Sequence, residues 1–312
     1  MRPNLYWLQC GGCGGDTMSM LNADSPNIVE AKESLGLDVL FHPSFSTITP
    51  LQHLELLERL TRGDIPLDIF CVEGAVILGP NGTGMFETFA GFAKKDLIAQ
   101  LAARAGLVLA IGTCAAYGGV TRACAVEAVG MQFTAKEPGG LLGPEYTSRL
   151  GLPVINLPGC PVHPQVLIGT LSAFSAGKFL ELNERNAPLE YYNMLVHQGC
   201  TRNEYHEYQI EETDFGQKGC LFFHMGCHGP LAHGPCNKFL WNNRSCKTRT
   251  GIPCFGCTEP DFPQDTPFFE TPNIVGLPIN LPDGVDRPHY LAYKGMAAAA
   301  APERLKHRKP KV

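Results

Sequence analysis

The chemistry of this chain lies in its sulfur. Thirteen cysteines are spread over 312 residues, an odd number that would leave one thiol over in a disulfide framework. They fall instead at ligand spacings. Cys10 and Cys13 flank two glycines, while Cys114 and Cys160 each sit in a short phrase rich in small residues or proline. Cys200, Cys220, Cys227, Cys236, Cys246, Cys254 and Cys257 then follow closely, with His197 three residues ahead of Cys200. Thiolate and imidazole suit zinc or iron–sulfur clusters. A lone Cys-x-x-Cys such as Cys254–Cys257 serves equally as a zinc knuckle or a redox pair. Alone, Cys114 or Cys160 would read as a small buried hydrophobe. The set as a whole predicts bound metal.

The rest of the composition narrows the class. Hydrophobic residues make 44% of the chain and charged ones 18%, enough for a packed core. The net charge of −5, with no face rich in Lys or Arg, argues against nucleic acid as a partner. No apolar run approaches the roughly 20 residues of a membrane-spanning helix. Met1-Arg2-Pro3-Asn4 leads at once into Leu5-Tyr6-Trp7-Leu8, with neither a charged n-region nor a twin-arginine signal, so a cytoplasmic location is expected. Reduced thiols in such number suit that compartment.

The elements that must carry these residues are legible in the first half. Leu5–Leu8, Leu37–Phe41, Asp68–Val72 with Ala75–Leu78, Leu107–Ile111 and Val154–Leu157 read as strands. Ile28–Glu33, Pro50–Thr61 and Phe86–Arg104 read as helices between them. Such alternation predicts an α/β fold: a flavodoxin-like, doubly wound domain over residues 1–175, with helices on both faces of a parallel sheet. Sites in such sheets lie at the carboxyl ends of the strands. Cys10, Cys13 and Asp16 follow the first strand, Glu73 the third, Cys114 the fourth and Cys160 the fifth, so they should converge on one edge. From about residue 180 strands vanish and Gly, Pro, Asn and aromatic residues rise. Residues 176–312 are expected to form a loop-rich domain cross-linked by bound clusters.

Four phrases, in order, resemble those of the iron–sulfur small subunit of NiFe hydrogenases. The first is Trp7-Leu8-Gln9-Cys10-Gly11-Gly12-Cys13-Gly14-Gly15-Asp16-Thr17-Met18-Ser19. Counted from its Trp, the family's first cysteine falls on Cys13 and its second on Asp16. The resemblance thus implies an oxygen ligand at Asp16, with Cys10 the competing choice. The second and third phrases are Gly112-Thr113-Cys114-Ala115-Ala116-Tyr117-Gly118-Gly119 and Pro158-Gly159-Cys160-Pro161. These imply a proximal 4Fe-4S cluster on Cys13, Asp16, Cys114 and Cys160. The fourth is composite. It implies a distal 4Fe-4S cluster on His197, Cys200, Cys220 and Cys227, with one residue more than the family between the last two. It also implies a medial cluster on Cys236, Cys254 and Cys257. The family's apolar residue at the vacant corner of a 3Fe-4S cluster falls on Lys247 or its neighbour Cys246, and a ligating Cys246 would make that cluster 4Fe-4S.

The function so implied is electron transfer: H2 is split on a separate large subunit, and electrons leave through this chain to an acceptor. A higher assembly of heterodimers is implied as well, and the Asp resembles the soluble actinobacterial-type branch. Two other readings are the iron–sulfur subunit of a quinone oxidoreductase and a non-catalytic metal-binding scaffold. The remaining residues have plain expectations. Cys71 and Cys124 read as structural thiols, and Glu73 as a capping or surface carboxylate or a residue near the subunit interface. His163, His224, His228 and His233 read as hydrogen-bonded loop residues. Gly79–Gly84 reads as a turn, since it lacks the Lys of a phosphate loop. The stretch Met296–Val312 reads as a solvated, partly helical terminus with a basic tail.

Overall fold

A computed structural model describes residues 2–124, 126–178, 180–282 and 284–306. The chain divides into two compact units, residues 1–191 with 258–263, and residues 192–257 with 264–312. The first unit runs past the expected end at residue 175. Its extra residues are tied to its edge strand: Asn156 N–H donates to Asn186 O (2.9 Å) and Asn156 Nδ2 to Arg185 O (2.8 Å).

The first unit is built on five parallel strands: β1 (Asn4–Gln9), β2 (Asp38–Phe41), β3 (Leu67–Glu73), β4 (Ala105–Ile111) and β5 (Ile155–Leu157). Their order across the sheet, β5-β4-β3-β1-β2, is the flavodoxin-like one. All seven residues of β4 are buried, as a central strand covered on both faces requires. Along β1 the two-residue period sends Tyr6, Leu8 and, one step on, Cys10 into the main core with Phe70, Val72 and Val108.

Helix α1 (Gly15–Leu21) follows β1 and α2 (Ile28–Ser34) precedes β2. Helix α3 (Pro50–Arg62) begins with a Thr49/Gln52 capping box and Pro50, and stops at Gly63 in the left-handed region. Its buried Leu57 and Leu60 each contribute about 1.5–3 kcal/mol of burial. Helix α4 is Lys94–Arg104, shorter than the expected Phe86–Arg104. Thr88–Phe89 and Phe92–Ala93 form a hairpin whose turn residues, Ala90 and Gly91, both have positive φ. That two-residue turn ends any helix there. Likewise Ala75–Leu78 does not extend β3. Val76–Ile77 pairs antiparallel with Ala128–Val129 in a separate ribbon. Helices α5 (Gly112–Tyr117) and α6 (Pro164–Ser175) follow β4 and β5. The Gly79–Gly84 segment is a turn whose backbone N–H groups at Asn81 and Gly82 are taken by the Glu127 carboxylate (2.9 and 3.0 Å).

The second unit has little regular structure. A 3₁₀ turn (Val196–Gly199), a short helix α7 (Asn203–Glu207), a hairpin (Asn273–Ile274 with Leu277–Pro278) and α8 (Arg287–Ala299) are its main elements. Its apolar cores are small; one joins Phe222, Phe223, Leu277 and Tyr290 around Cys220. The described part of the C-terminal stretch is partly helical and mostly exposed, while Ala301 and Leu305 bury themselves against Ile210. The basic tail from residue 307 lies outside the described residues. Among the described residues no helix is long and apolar enough to cross a membrane.

Candidate metal centres

In the first unit, three of the four phrases meet at the carboxyl ends of β1, β4 and β5. Asp16, buried in the first turn of α1, accepts at Oδ1 from Val162 N–H (2.7 Å), two residues beyond Cys160. Its other carboxylate oxygen lies against Gly112, where a Cβ would stand 2.1 Å from Oδ2. Gly112 also has φ +81°, so two independent constraints demand glycine there. The Cys114 phrase is tied to the Cys160 phrase by Thr113, whose N–H donates to Gly159 O and whose Oγ1 accepts from Gly159 N–H, both at 2.9 Å. Ser19 Oγ closes the triangle by donating to Val162 O (2.6 Å). Cys13 is exposed, and its Sγ lies 3.1 Å from where a Cβ at Gly15 would sit, on the side facing Pro161. Cys114 and Cys160 are half-buried.

Burial pushes the Asp16 carboxyl up to about 7, and the nearby Glu73 adds to this against the lowering effect of the Val162 N–H. A nearby cation or metal would favour the ionised form of a buried carboxyl so placed. Cys10 is different. It packs into the main core, where burial raises its thiol far above the usual range. Cys71 is a fully buried thiol, whereas Cys124 is exposed rather than structural.

Glu73 is not a surface group. Only 1% exposed, it accepts from Trp7 Nε1 (3.0 Å), Thr17 N–H (2.9 Å) and Thr17 Oγ1 (2.5 Å). It therefore caps α1 and fixes the helix that carries Asp16.

In the second unit, His197, Cys200, Cys220 and Cys227 line one small cavity, together with Arg202, Asn237 and Thr248. His197 leads from the 3₁₀ turn, held by its N–H to Gly229 O (2.9 Å). Burial lowers the His197 pKa, which favours the neutral ring that a metal needs. The loop from Cys220 to Cys227 closes as a turn, with Met225 N–H to Leu221 O at 3.0 Å. Thr271 anchors it by accepting from Gly226 N–H and donating to Phe222 O, both at 2.8 Å.

Three supports of this cavity gave no signal in the sequence. Arg202 donates to Thr248 O (2.7 Å), Gln217 O (2.6 Å) and Gly219 O (2.6 Å), stapling three loops. Asn237 holds Val196 O at 2.7 Å. His206, on α7, places Nδ1 3.4 Å from Cys220 Sγ. Burial, with His197 nearby, lowers the His206 pKa to about 4. None belongs to a ligand spacing, and only the folded loops bring them in.

Cys254 adjoins this set: its N–H donates to Cys227 Sγ (3.3 Å). Cys236 and Cys254 each feel the charge of Cys257, and Cys254 also that of Cys236. Burial first, and then that mutual repulsion, push Cys236 up to about 12, and burial with the Cys200 charge brings Cys227 to about 11. Crowded thiols of this kind ionise together only around positive charge, so the donor set fits bound metal. Cys246 lies close enough to Cys236 to raise its pKa, yet its Sγ donates to Asn237 Oδ1 (2.5 Å). Lys247 Nζ reaches Cys257 Sγ at 4.0 Å. Among the described residues no three His, Cys, Asp or Glu side chains meet round a point for a single ion. A cluster takes one ligand at each iron, so its ligands need not meet. The four histidines read as loop residues include His163, which caps α6, and His224, which bonds Glu211 (2.6 Å).

Two family models match separate stretches of the chain. Residues 13–174 match the family model described as NADH ubiquinone oxidoreductase, 20 Kd subunit, and residues 192–270 match the model for the C-terminal part of the NiFe/NiFeSe hydrogenase small subunit. The F420 non-reducing hydrogenase I small subunit of Methanosarcina mazei is 30% identical over 88% of this chain and 78% of its own. The periplasmic NiFeSe hydrogenase small subunit of Desulfomicrobium baculatum is 32% identical over 85% and 86%. A solved structure of the reduced, active Ni-Fe-Se hydrogenase of that organism superposes with a TM-score of 0.74 at 27% identity, covering 86% of this chain and 99% of that one. The actinobacterial-type NiFe-hydrogenase of Ralstonia eutropha H16 covers 100% of this chain and 94% of its own, with a TM-score of 0.76 at 24% identity, a likeness of fold. The first-unit match alone would allow a quinone reductase subunit, but the second-unit match and the relatives that cover most of this chain do not. The chain belongs to the small subunits of NiFe hydrogenases, the iron–sulfur, electron-transferring partners of the hydrogenase large subunit.

Proposed function

We propose that this chain carries electrons from H2 oxidation on the large subunit to an acceptor by way of three iron–sulfur clusters with distinct ligand sets. Cys13, Asp16, Cys114 and Cys160 hold the proximal 4Fe-4S cluster. His197, Cys200, Cys220 and Cys227 hold the distal 4Fe-4S cluster. Cys236, Cys254 and Cys257 hold the medial one, completed to 4Fe-4S by Cys246. When bound, such clusters supply one-electron redox chemistry; the chain sets their burial, spacing and hydrogen bonding.

The observation that carries the reading is the lining of one cavity by His197, Cys200, Cys220 and Cys227, with Cys254 N–H donating directly to Cys227 Sγ. Two ligand sets therefore adjoin within the second unit. Asp16 is favoured over Cys10 because it lies among the Cys114 and Cys160 phrases, while Cys10 faces the sheet core. Cys246 is favoured by its closeness to Cys236, and its bond to Asn237 would break on ligation. A cytoplasmic location, which suits reduced thiols in this number, is part of the same reading. A higher assembly of heterodimers and the actinobacterial-type branch belong to the same reading.

Iron analysis with electron paramagnetic resonance of the co-purified heterodimer tests it. Three four-iron clusters give about twelve irons per chain. Asp16→Ala should alter the proximal spectrum and Cys10→Ala should leave it intact; the reverse pattern sinks the Asp16 assignment. A three-iron signal unchanged by Cys246→Ser would remove Cys246 from the medial set.

A further inference from the structure

One half-buried titratable group in the second unit has no place in the ligand sets. His206 sits on α7, its backbone N–H bonded to Arg202 O (3.1 Å). Its ring stacks on Phe223 at 5.4 Å and 17° and meets Phe222 edge-on at 5.4 Å. On the other side it meets His197 edge-on, with ring centroids 4.5 Å apart and planes at 67°. Its Nδ1 lies 3.4 Å from Cys220 Sγ. His197 and Cys220 both line the distal cavity, and His206 is absent from that lining. The imidazole thus stands behind two ligands without reaching the space they enclose.

We propose that His206 is a positioning residue of the distal cluster, donating Nδ1–H to the Cys220 sulfur and bracing the His197 ring. The inference rests on the distal ligand set given above. A cluster-bound cysteine has no proton, so the proton shared between Cys220 and His206 sits on Nδ1. A hydrogen bond to a cluster thiolate draws charge from the sulfur and favours the reduced cluster. Edge contact with His197 limits rotation of that ring, as an outer partner does for a metal-bound histidine. The two phenylalanines, packed with Leu277 and Tyr290, hold the donor in place.

The test is potentiometric electron paramagnetic resonance on the intact heterodimer, with nitrogen hyperfine spectroscopy of the distal signal. His206→Phe keeps a ring between the phenylalanines but removes the donor. Its iron content and distal nitrogen coupling should match the parent. At a fixed potential the ratio of reduced to oxidised distal cluster should fall about tenfold, a shift of about 59 mV for one electron. His206→Gln, which restores an N–H, should recover part of the shift, and the other clusters should not move. An unchanged distal potential in His206→Phe, or no recovery in His206→Gln, overturns the proposal. Loss of the nitrogen coupling in either variant also overturns it, because His206 would then be a ligand itself. A parent heterodimer with no nitrogen-coupled cluster would instead refute the ligand set, and this inference with it.

Discussion

The two units place their candidate ligands on opposite kinds of support. In the first, Cys114 and Cys160 stand just beyond strand ends and Asp16 in the first turn of α1, beside a core that is complete without them; β4 is buried along its whole length. In the second, Cys220 and Cys254 are themselves part of the small apolar cores, and side-chain hydrogen bonds do much of the work that a sheet would do. A site set on the rim of a folded domain inherits its geometry. A site in a loop-rich unit helps to create the geometry that holds it, because metal-binding free energy is then folding free energy.

Removing the iron should expose that contrast most strongly. Hydrogen exchange on iron-free chain should keep protection in β1, β3 and β4 while the amides of residues 196–257 exchange freely. Equal loss in both units would break the comparison.

Single substitutions should sharpen it. Arg202→Met removes three carbonyl staples of the second unit and should cost about 3–5 kcal/mol, since hydrogen bonds from charged donors are among the stronger ones. Denaturant unfolding followed in each unit should show the second transition shifted and the first unmoved. Glu73→Gln, with Trp7 and Thr17 left short of a charged acceptor, should do the converse and cost about 2–3 kcal/mol in the first unit.

The smallest effect should come from pH. His42, 1% exposed between Trp7 and Phe45, is held neutral by burial, which lowers its pKa to about 4. The unfolded chain takes up that proton first. His42 therefore contributes its full stability above the ordinary histidine range, and the contribution drains as pH falls from about 6.5 towards 4. By pH 5 the first unit should be weaker by about 2 kcal/mol, and His42→Phe should abolish the slope. The difference between the two chains cancels the other titrating groups.

How much of this the amino acids announced follows the same divide. The five sheet strands are legible because each is a short apolar run ended by Gly, Pro or a turn, and burial on both faces leaves that mark. The proximal phrases are legible because strand ends converge in a parallel sheet. The Thr88–Ala93 hairpin is not, since its residues continue the apolar texture of α4 and only Ala90 and Gly91 at positive φ reverse it. In the second unit the cysteines are plain and their supports are not. Arg202 and His206 act across loops on carbonyls and a sulfur that no periodicity relates to them.

The buried bond from Trp7 to Glu73 has an optical consequence. The chain has two tryptophans, Trp7 in the first compact unit and Trp241 in the second. Trp7 is 1% exposed with its indole N–H donated to a carboxylate, whereas Trp241 is half-buried. Each unit therefore carries one tryptophan. In a Trp241→Phe chain the remaining emission should be blue-shifted, and its red shift should report the opening of the first unit alone, without any attached dye.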